Sequence, residues 1–128
     1  MPDPLHVGTL HHLAITSRRP AECSAFYRDV LGFEVLPRPK FSFDGAWLRK
    51  GPLELHIIQH ESADGRRGKV DSLARHFAMA VQDLDACEAR LRQHGLDYKR
   101  QVNAAGFQQI FFQDPDGNHV EVGIYPER

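Results

Sequence analysis

The chain has 128 residues and a formal net charge of -1 at pH 7, with 41% hydrophobic and 26% charged residues. This length suits one domain with its own hydrophobic core, and the composition is typical of a soluble globular protein. Such a charge offers no basic field for nucleic acid or an anionic membrane, and the apolar runs are too short to span a bilayer. The N-terminal segment lacks the features of a signal peptide, so the sequence predicts a cytoplasmic protein with neither kind of partner.

The first half of the chain predicts a strand, a helix and three further strands. The first strand begins at His12. The helix is expected over about 20–31, with Ser17 as its N-cap and Pro20 in its first turn. Its apolar stripe consists of Cys23, Phe26, Tyr27 and Val30. The three strands that follow are expected at 33–36, 45–49 and 53–59.

The second half repeats this order. The segment HFAMA at 76–80 matches HLAIT at 12–16, and in each copy a cysteine lies eleven residues after the histidine. Asp83 is expected to cap the second helix and Gly95 to end it. Strands are expected at 76–81, 97–101, 108–113 and 119–124. We therefore interpret residues 1–128 as a single domain with modules at about 8–60 and 73–125 and a polar linker at about 61–72.

Four metal-binding side chains occupy equivalent positions in four of these strands. Because alternate residues of a strand share a face, His12, His56, His76 and Glu121 each lie opposite an apolar face. The spacing is 44 residues in the first pair and 45 in the second. Three imidazoles and a carboxylate would be costly to bury unpaired, and a divalent cation removes that cost. The set predicts one metal ion, and Zn, Ni, Co, Mn or Fe suits these ligands.

We expect an α+β fold in which two βαβββ modules form a curved mixed sheet around this metal-binding cleft, with the helices on its outer face. Two further residues share the ligand faces. His119 lies two residues before Glu121 on the same strand face and is a candidate to line the pocket or to contact a metal ligand. Glu54 lies two residues before His56 and would take its place as a ligand if the strand register differs. Cys23 and Cys87 have no CxxC partner and are interpreted as reduced, buried thiols. The aromatic candidates for a pocket wall are Phe41, Phe43, Trp47, Phe107 and Phe111, with packing in the core as the alternative for each of them.

These segments together resemble the glyoxalase, bleomycin-resistance and extradiol dioxygenase superfamily, also called the vicinal oxygen chelate superfamily. The resemblance extends over HHLAIT, FYRDVLGFEV, FSFDGAWL, LELHII, RHFAMAVQDLDA and FFQDPDGNHVEV. FSFDGAWL followed by a strand histidine resembles a glyoxalase-I-like branch. In that superfamily the ligands lie on the first and last strands of each module, and the matching positions here are His12, His56, His76 and Glu121.

The resemblance implies a metal-dependent lyase or isomerase that acts on a small oxygenated substrate through chelated vicinal oxygens, with Glu121 as both ligand and catalytic base. Glyoxalase I has glutamate in place of His56 and a glutathione-binding arginine in place of Thr16, so neither its two-glutamate mechanism nor its cosubstrate is implied. A ring-cleaving extradiol-type dioxygenase and a non-catalytic antibiotic-type binding protein are the alternatives. Members commonly complete the site across a dimer, so we expect a homodimer, although a closed monomer also supplies all four ligands.

Overall fold

The computed structural model describes residues 1–127. Within them the order βαβββ occurs twice, which confirms the predicted fold class. The first module contains β1 (Leu13–Ser17), α1 (Pro20–Asp29), β2 (Glu34–Leu36), β3 (Gly45–Lys50) and β4 (Leu53–Gln59). The second contains β5 (His76–Ala80), α2 (Leu84–Gln93), β6 (Tyr98–Val102), β7 (Gln108–Gln113) and β8 (His119–Ile124). Over the same residues, neither helix has the length and apolar character needed to cross a membrane.

The prediction for the start and end of α1 is wrong in two respects. Ser17 is not its N-cap, because Ser17 belongs to β1, where it pairs with Gln59. The N-cap is Arg19, whose N–H donates to the Ser17 hydroxyl at 3.0 Å, and no side chain caps the helix. The helix ends at Asp29 rather than at about residue 31.

The boundaries of α2 agree with the prediction. The Asp83 carboxylate accepts a hydrogen bond from the Ala86 N–H at 3.0 Å, which is the N-cap interaction expected from the sequence. Gly95 has a φ of 69°, a conformation that glycine adopts without strain. The Leu96 N–H bonds the Leu91 carbonyl beyond it, so the helix ends in a Schellman motif.

The eight strands form two four-stranded mixed sheets, in the orders β1-β4-β3-β2 and β5-β8-β7-β6. Each module has one parallel pair, β1 with β4 and β5 with β8, and the other pairs are antiparallel. The registers pair Ala14 with His56 and Ala78 with Glu121. His56 and Glu121 therefore occupy equivalent positions in the two modules, as the sequence spacing predicts.

One continuous core joins the two modules. Helix α1 packs on β3 and β4, and α2 packs on β7 and β8. The rings of Phe26 and Tyr27 in α1 also reach the second module, where they lie 6.4 Å from Phe112 and 6.5 Å from Phe77. Because side chains alternate along a strand, the faces that carry the predicted ligands point away from this core.

The turn between β7 and β8 fastens the second module to the first. Asp114 is fully buried, and its Oδ2 accepts hydrogen bonds from the Tyr27 hydroxyl at 2.9 Å and from Asn118 Nδ2 at 2.8 Å. Its Oδ1 accepts from the backbone N–H groups of Asp116 and Asn118. Asn118 also donates to the Thr16 carbonyl at 3.0 Å. The segments FYRDVLGFEV and QDPDGNHVEV, which both belong to the resemblance noted in the sequence, thus meet at one buried carboxylate.

Candidate metal centre

The four predicted ligands occur as two pairs, one on each sheet. In the second module His76 Nε2 lies 3.1 Å from Glu121 Oε1. In the first, the rings of His12 and His56 stack with their centroids 3.9 Å apart. Among residues 1–127, no three of the four bring their ligand atoms within 4.8 Å of one another. One chain therefore presents two half-sites rather than a closed site.

The half-site of the second module is built around a buried carboxylate. Glu121 is 4% exposed, and its Oε2 accepts a hydrogen bond from the Tyr125 hydroxyl. Gly123 lies between them, and a Cβ at this position would be 2.7 Å from the phenol of Tyr125 and 2.8 Å from the Gln108 carbonyl oxygen. Glycine therefore lets the tyrosine ring fold back over the strand to reach the carboxylate.

Tyr125 remains a hydrogen-bond donor over the physiological pH range. Burial raises the pKa of its phenol, and the hydrogen bond to Glu121 raises it further. Sequence reasoning did not identify this residue. Tyr125 has the same parity as Glu121, so strand alternation continued beyond β8 would have placed it on the same face.

His76 directs its Nε2 at Glu121. Its Nδ1 lies 2.8 Å from the Ala74 carbonyl oxygen, which accepts the proton of that nitrogen. In the neutral ring the lone pair is then on Nε2 and faces Glu121 Oε1. Two acceptors 3.1 Å apart repel each other unless a proton or a cation lies between them. A histidine whose second nitrogen donates to a carbonyl is the usual arrangement in metal sites, so this pair fits a divalent ion.

In the half-site of the first module, His56 is held between two rings. Its imidazole stacks on Trp47 at 4.6 Å and on His12 at 3.9 Å. Its Nε2 lies 2.7 Å from Glu54 Oε2, and this hydrogen bond lowers the pKa of the Glu54 carboxyl. With the Nε2 proton donated to Glu54, Nδ1 is the nitrogen that can bind a metal ion. Glu54 therefore orients His56 here.

His12 lies at the open side of this half-site. The residue is exposed and directly precedes β1. Its Nδ1 lies 2.9 Å from Nδ1 of His11, so one of the two rings donates to the other. His11 does not share the ligand face, but it contacts the ligand and restrains its ring.

His119 has a structural role. Its Nδ1 donates to the Gly117 carbonyl at 3.1 Å, and its Nε2 accepts from the Asp71 N–H at 3.0 Å. Both ring nitrogens are therefore used by the backbone. His119 fastens the linker to the start of β8 and has no nitrogen left for a metal ion.

A second group of metal-binding residue types consists of Cys23, Asp114 and Asp116, all of them buried. The oxygens of Asp114 already accept hydrogen bonds from the surrounding protein. Burial raises the pKa of the Cys23 thiol, and the charge of Asp114 raises it further. A thiolate is the form that binds metals. We therefore interpret this cluster as part of the contact between the modules.

Two cavities lie near these features. One of about 400 Å³ is bounded by Phe107 and Tyr125 and lies on the Glu121 side of the second sheet, where Ala78 and Ala80 form its floor. The other, of about 560 Å³, opens between the modules. None of the four predicted ligands lines either cavity, but the first is bounded by Tyr125, which donates to Glu121. The first cavity is therefore the one next to the candidate metal centre.

The fold defines a class of protein built from two βαβββ modules. The model of the Glyoxalase/Bleomycin resistance protein/Dioxygenase superfamily matches residues 9–122, and the chain belongs to this superfamily.

Three similar proteins illustrate the relationship. Glyoxylase I 4 of Arabidopsis thaliana is 31% identical over 126 residues, which cover 94% of this chain and 72% of the plant protein. The crystal structure of a glyoxalase family protein from Enterococcus faecalis matches with a TM-score of 0.75 and 28% identity, covering 93% of this chain and 99% of that one. The fosfomycin resistance protein FosX of Listeria monocytogenes has a TM-score of 0.80 at 17% identity, covering 94% of this chain and 93% of that one, and shares the fold.

Proposed function

We propose that this protein is a divalent-metal-dependent, glyoxalase-like lyase or isomerase that acts on a small oxygenated substrate through two neighbouring oxygens. The observation that carries the proposal is the pair formed by His76 and Glu121. Nε2 of the histidine lies 3.1 Å from a buried carboxylate oxygen, and the other carboxylate oxygen is held by Tyr125. The name of the Arabidopsis relative, Glyoxylase I 4, supports the same class of reaction.

The proposed active form is a cytoplasmic homodimer in which each metal ion is shared. His12 and His56 of one protomer would bind it together with His76 and Glu121 of the partner subunit. The support is geometric, because each sheet carries only half of the ligands and turns its ligand face away from the common core. A second copy can bring the missing half to each face and shield the ligands from water.

A bound divalent ion would act as a Lewis acid for two neighbouring substrate oxygens and stabilise the negative charge that develops on them. Glu121 is the one carboxylate of the set, so we assign proton transfer to its Oε1. The hydrogen bond from Tyr125 keeps Oε2 in place and prevents the carboxylate from turning. His76 is held by the Ala74 carbonyl, so its ring stays directed at the same oxygen. This arrangement suits removal of a proton from a carbon next to a carbonyl and its return to a neighbouring carbon.

The proposal is tested by proton exchange, which can be measured before the natural substrate is identified. The full-length protein is freed of metal, reloaded with one of Zn, Ni, Co or Mn, and incubated in D₂O with a panel of 2-hydroxycarbonyl compounds. We expect metal-dependent deuterium incorporation at the carbon next to the carbonyl, detected by NMR. Exchange should disappear in Glu121→Gln, whereas Tyr98→Phe, which removes a hydroxyl outside the site, should retain it.

Two results would contradict the proposal. One is a full-length protein that binds none of these metals in a fixed molar ratio. The other is a metal-loaded protein that consumes oxygen with a catechol but catalyses no proton exchange, since that behaviour belongs to a ring-cleaving dioxygenase.

A further inference from the structure

A loop beside the first half-site holds an arginine with no acidic partner. Arg38 lies in the segment between β2 and β3, and none of its nitrogens forms an ion pair within residues 1–127. Its Nη2 donates to the Phe43 carbonyl at 3.0 Å. Its Nε is buried and has no hydrogen-bond partner in the same residues. A buried donor without an acceptor is rare in folded proteins, so the position of Arg38 needs an explanation.

Arg38 lies on the ligand face of the first sheet. A Cβ added to Gly45 would clash with the Ile57 carbonyl oxygen and would lie 3.1 Å from Arg38 Nη2 and 3.3 Å from its Cζ, so the guanidinium lies beside the start of β3. Gly45 and Trp47 are two residues apart in β3 and therefore share a face. Trp47 stacks on His56. The guanidinium thus lies on the same face as the candidate metal ligand.

Aromatic rings connect the arginine to that ligand. The Arg38 Cζ lies 4.8 Å from the ring centroid of Phe41 and 5.2 Å from that of Phe43. Phe41 lies 6.0 Å from Trp47, whose ring is 4.6 Å from His56. Phe41 is 42% exposed and Phe43 is 44% exposed, so both rings present apolar surface to a ligand. The Arg38 guanidinium therefore lies at one end of an aromatic wall formed by Phe41 and Trp47, and the candidate metal ligand His56 lies at the other end.

We propose that Arg38 binds a carboxylate of the substrate, and that the substrate is a flat, oxygenated compound whose two neighbouring oxygens lie at the His56 end of the wall. The inference rests on the proposed function, because it uses the same site. Guanidinium groups lie well on aromatic faces and bind planar carboxylates in directed geometry. A single guanidinium balances one negative charge, which favours a carboxylate over a phosphate monoester with nearly two.

The test compares caffeate with its methyl ester. Both carry two neighbouring hydroxyls and a flat unsaturated chain, but only caffeate ends in a carboxylate. Binding to the full-length, zinc-loaded protein is measured by calorimetry, with zinc binding titrated separately. The wild-type protein should bind caffeate about tenfold or more tightly than the ester, as expected for a hydrogen bond between charged groups. Arg38→Gln should remove this preference and leave ester affinity and zinc affinity within about twofold.

Lys40→Gln is the matched control, because it removes one positive charge from the same exposed loop. It should change caffeate binding little. The proposal is overturned if the wild-type protein binds acid and ester equally or binds neither. It is also overturned if Arg38→Gln weakens the binding of caffeate and of its ester to the same extent, because Arg38 would then only stabilise the loop. A loss of caffeate affinity in Lys40→Gln equal to that in Arg38→Gln would overturn it as well.

Failure of the proposed function gives a different result. A protein that binds no zinc contradicts the metal site. In that case the affinities for caffeate and its ester are measured on the metal-free wild-type protein and on metal-free Arg38→Gln. A preference for caffeate that is lost in the variant shows that Arg38 recognises a carboxylate.

Discussion

Gly123 is expected to control the candidate site although it offers no side chain. In Gly123→Ala the new methyl group would lie 2.7 Å from the phenol of Tyr125 and 2.8 Å from the Gln108 carbonyl oxygen. The tyrosine ring can give way to the first contact, whereas the second involves the backbone of a paired strand and forces the two strands to shift. Overpacking of this kind costs about 1–3 kcal/mol. The displaced hydroxyl also gives up its bond to a buried carboxylate, which costs about 1.5–3 kcal/mol more.

The consequence for metal binding can be measured directly. Loss of a group that orients a ligand lowers metal affinity by about 10–100-fold. We expect this loss in Gly123→Ala and also in Tyr125→Phe, which removes the hydroxyl without overpacking the strand. The assay is competition for zinc with a chromophoric chelator, together with thermal unfolding of the metal-free proteins. Tyr98→Phe is the control, because its hydroxyl accepts a hydrogen bond from Arg92 away from the site. Unchanged zinc affinity in both variants would refute the role assigned to Tyr125.

Three further predictions concern stability and reactivity. Asp114→Asn should lower the free energy of unfolding by about 2–3 kcal/mol, because an amide nitrogen would face the donors Tyr27 and Asn118; an unchanged denaturation midpoint would contradict this. Zinc at one hundred times its Kd should raise the free energy of unfolding of the wild-type protein by about 2.7 kcal/mol, and a chelator should reverse this increase. His76→Ala should show no metal-dependent shift in Tm. Burial raises the pKa of Cys87, and Cys23 is fully buried. Because the thiolate is the reactive form, labelling of the native protein with a thiol reagent at pH 8 should be slow and should become faster as the pH rises. The label should be found only on Cys87. Rapid labelling of Cys87→Ser would show that Cys23 is accessible and would contradict this prediction.

The sequence predicts the fold well where local signals agree. Strands β4, β7 and β8 have the predicted bounds. Apolar alternation marks β4 and β8, a short apolar run marks β7, and a glycine precedes each of the three. The end of α2 is also correct, since Gly95 is a strong termination signal. The predicted cap of α1 is wrong because Ser17 has two possible roles, and its pairing with Gln59 decides between them. Such a pairing joins residues far apart in the chain and leaves no local trace.

The candidate site could be predicted only in part for the same reason. Strand parity identifies which side chains share a face, and it correctly relates His56 to Glu121 across the repeat. It does not reveal what else contacts them. His119 shares the face of Glu121 but bonds Asp71, 48 residues away. Parity also cannot show whether one chain brings both half-sites together, because that depends on how the modules pack.

The shared metal site is tested most directly by complementation between two inactive variants. His12→Ala/His56→Ala lacks the first half-site, and His76→Ala/Glu121→Ala lacks the second. The two are co-expressed with different affinity tags, and mixed dimers are purified and analysed for bound metal. Each variant alone should bind none. In a mixed dimer one site retains all four ligands and the other retains none, so we expect one metal ion per mixed dimer. Mixed dimers without metal, beside a wild-type protein that binds it, would contradict a site shared between subunits.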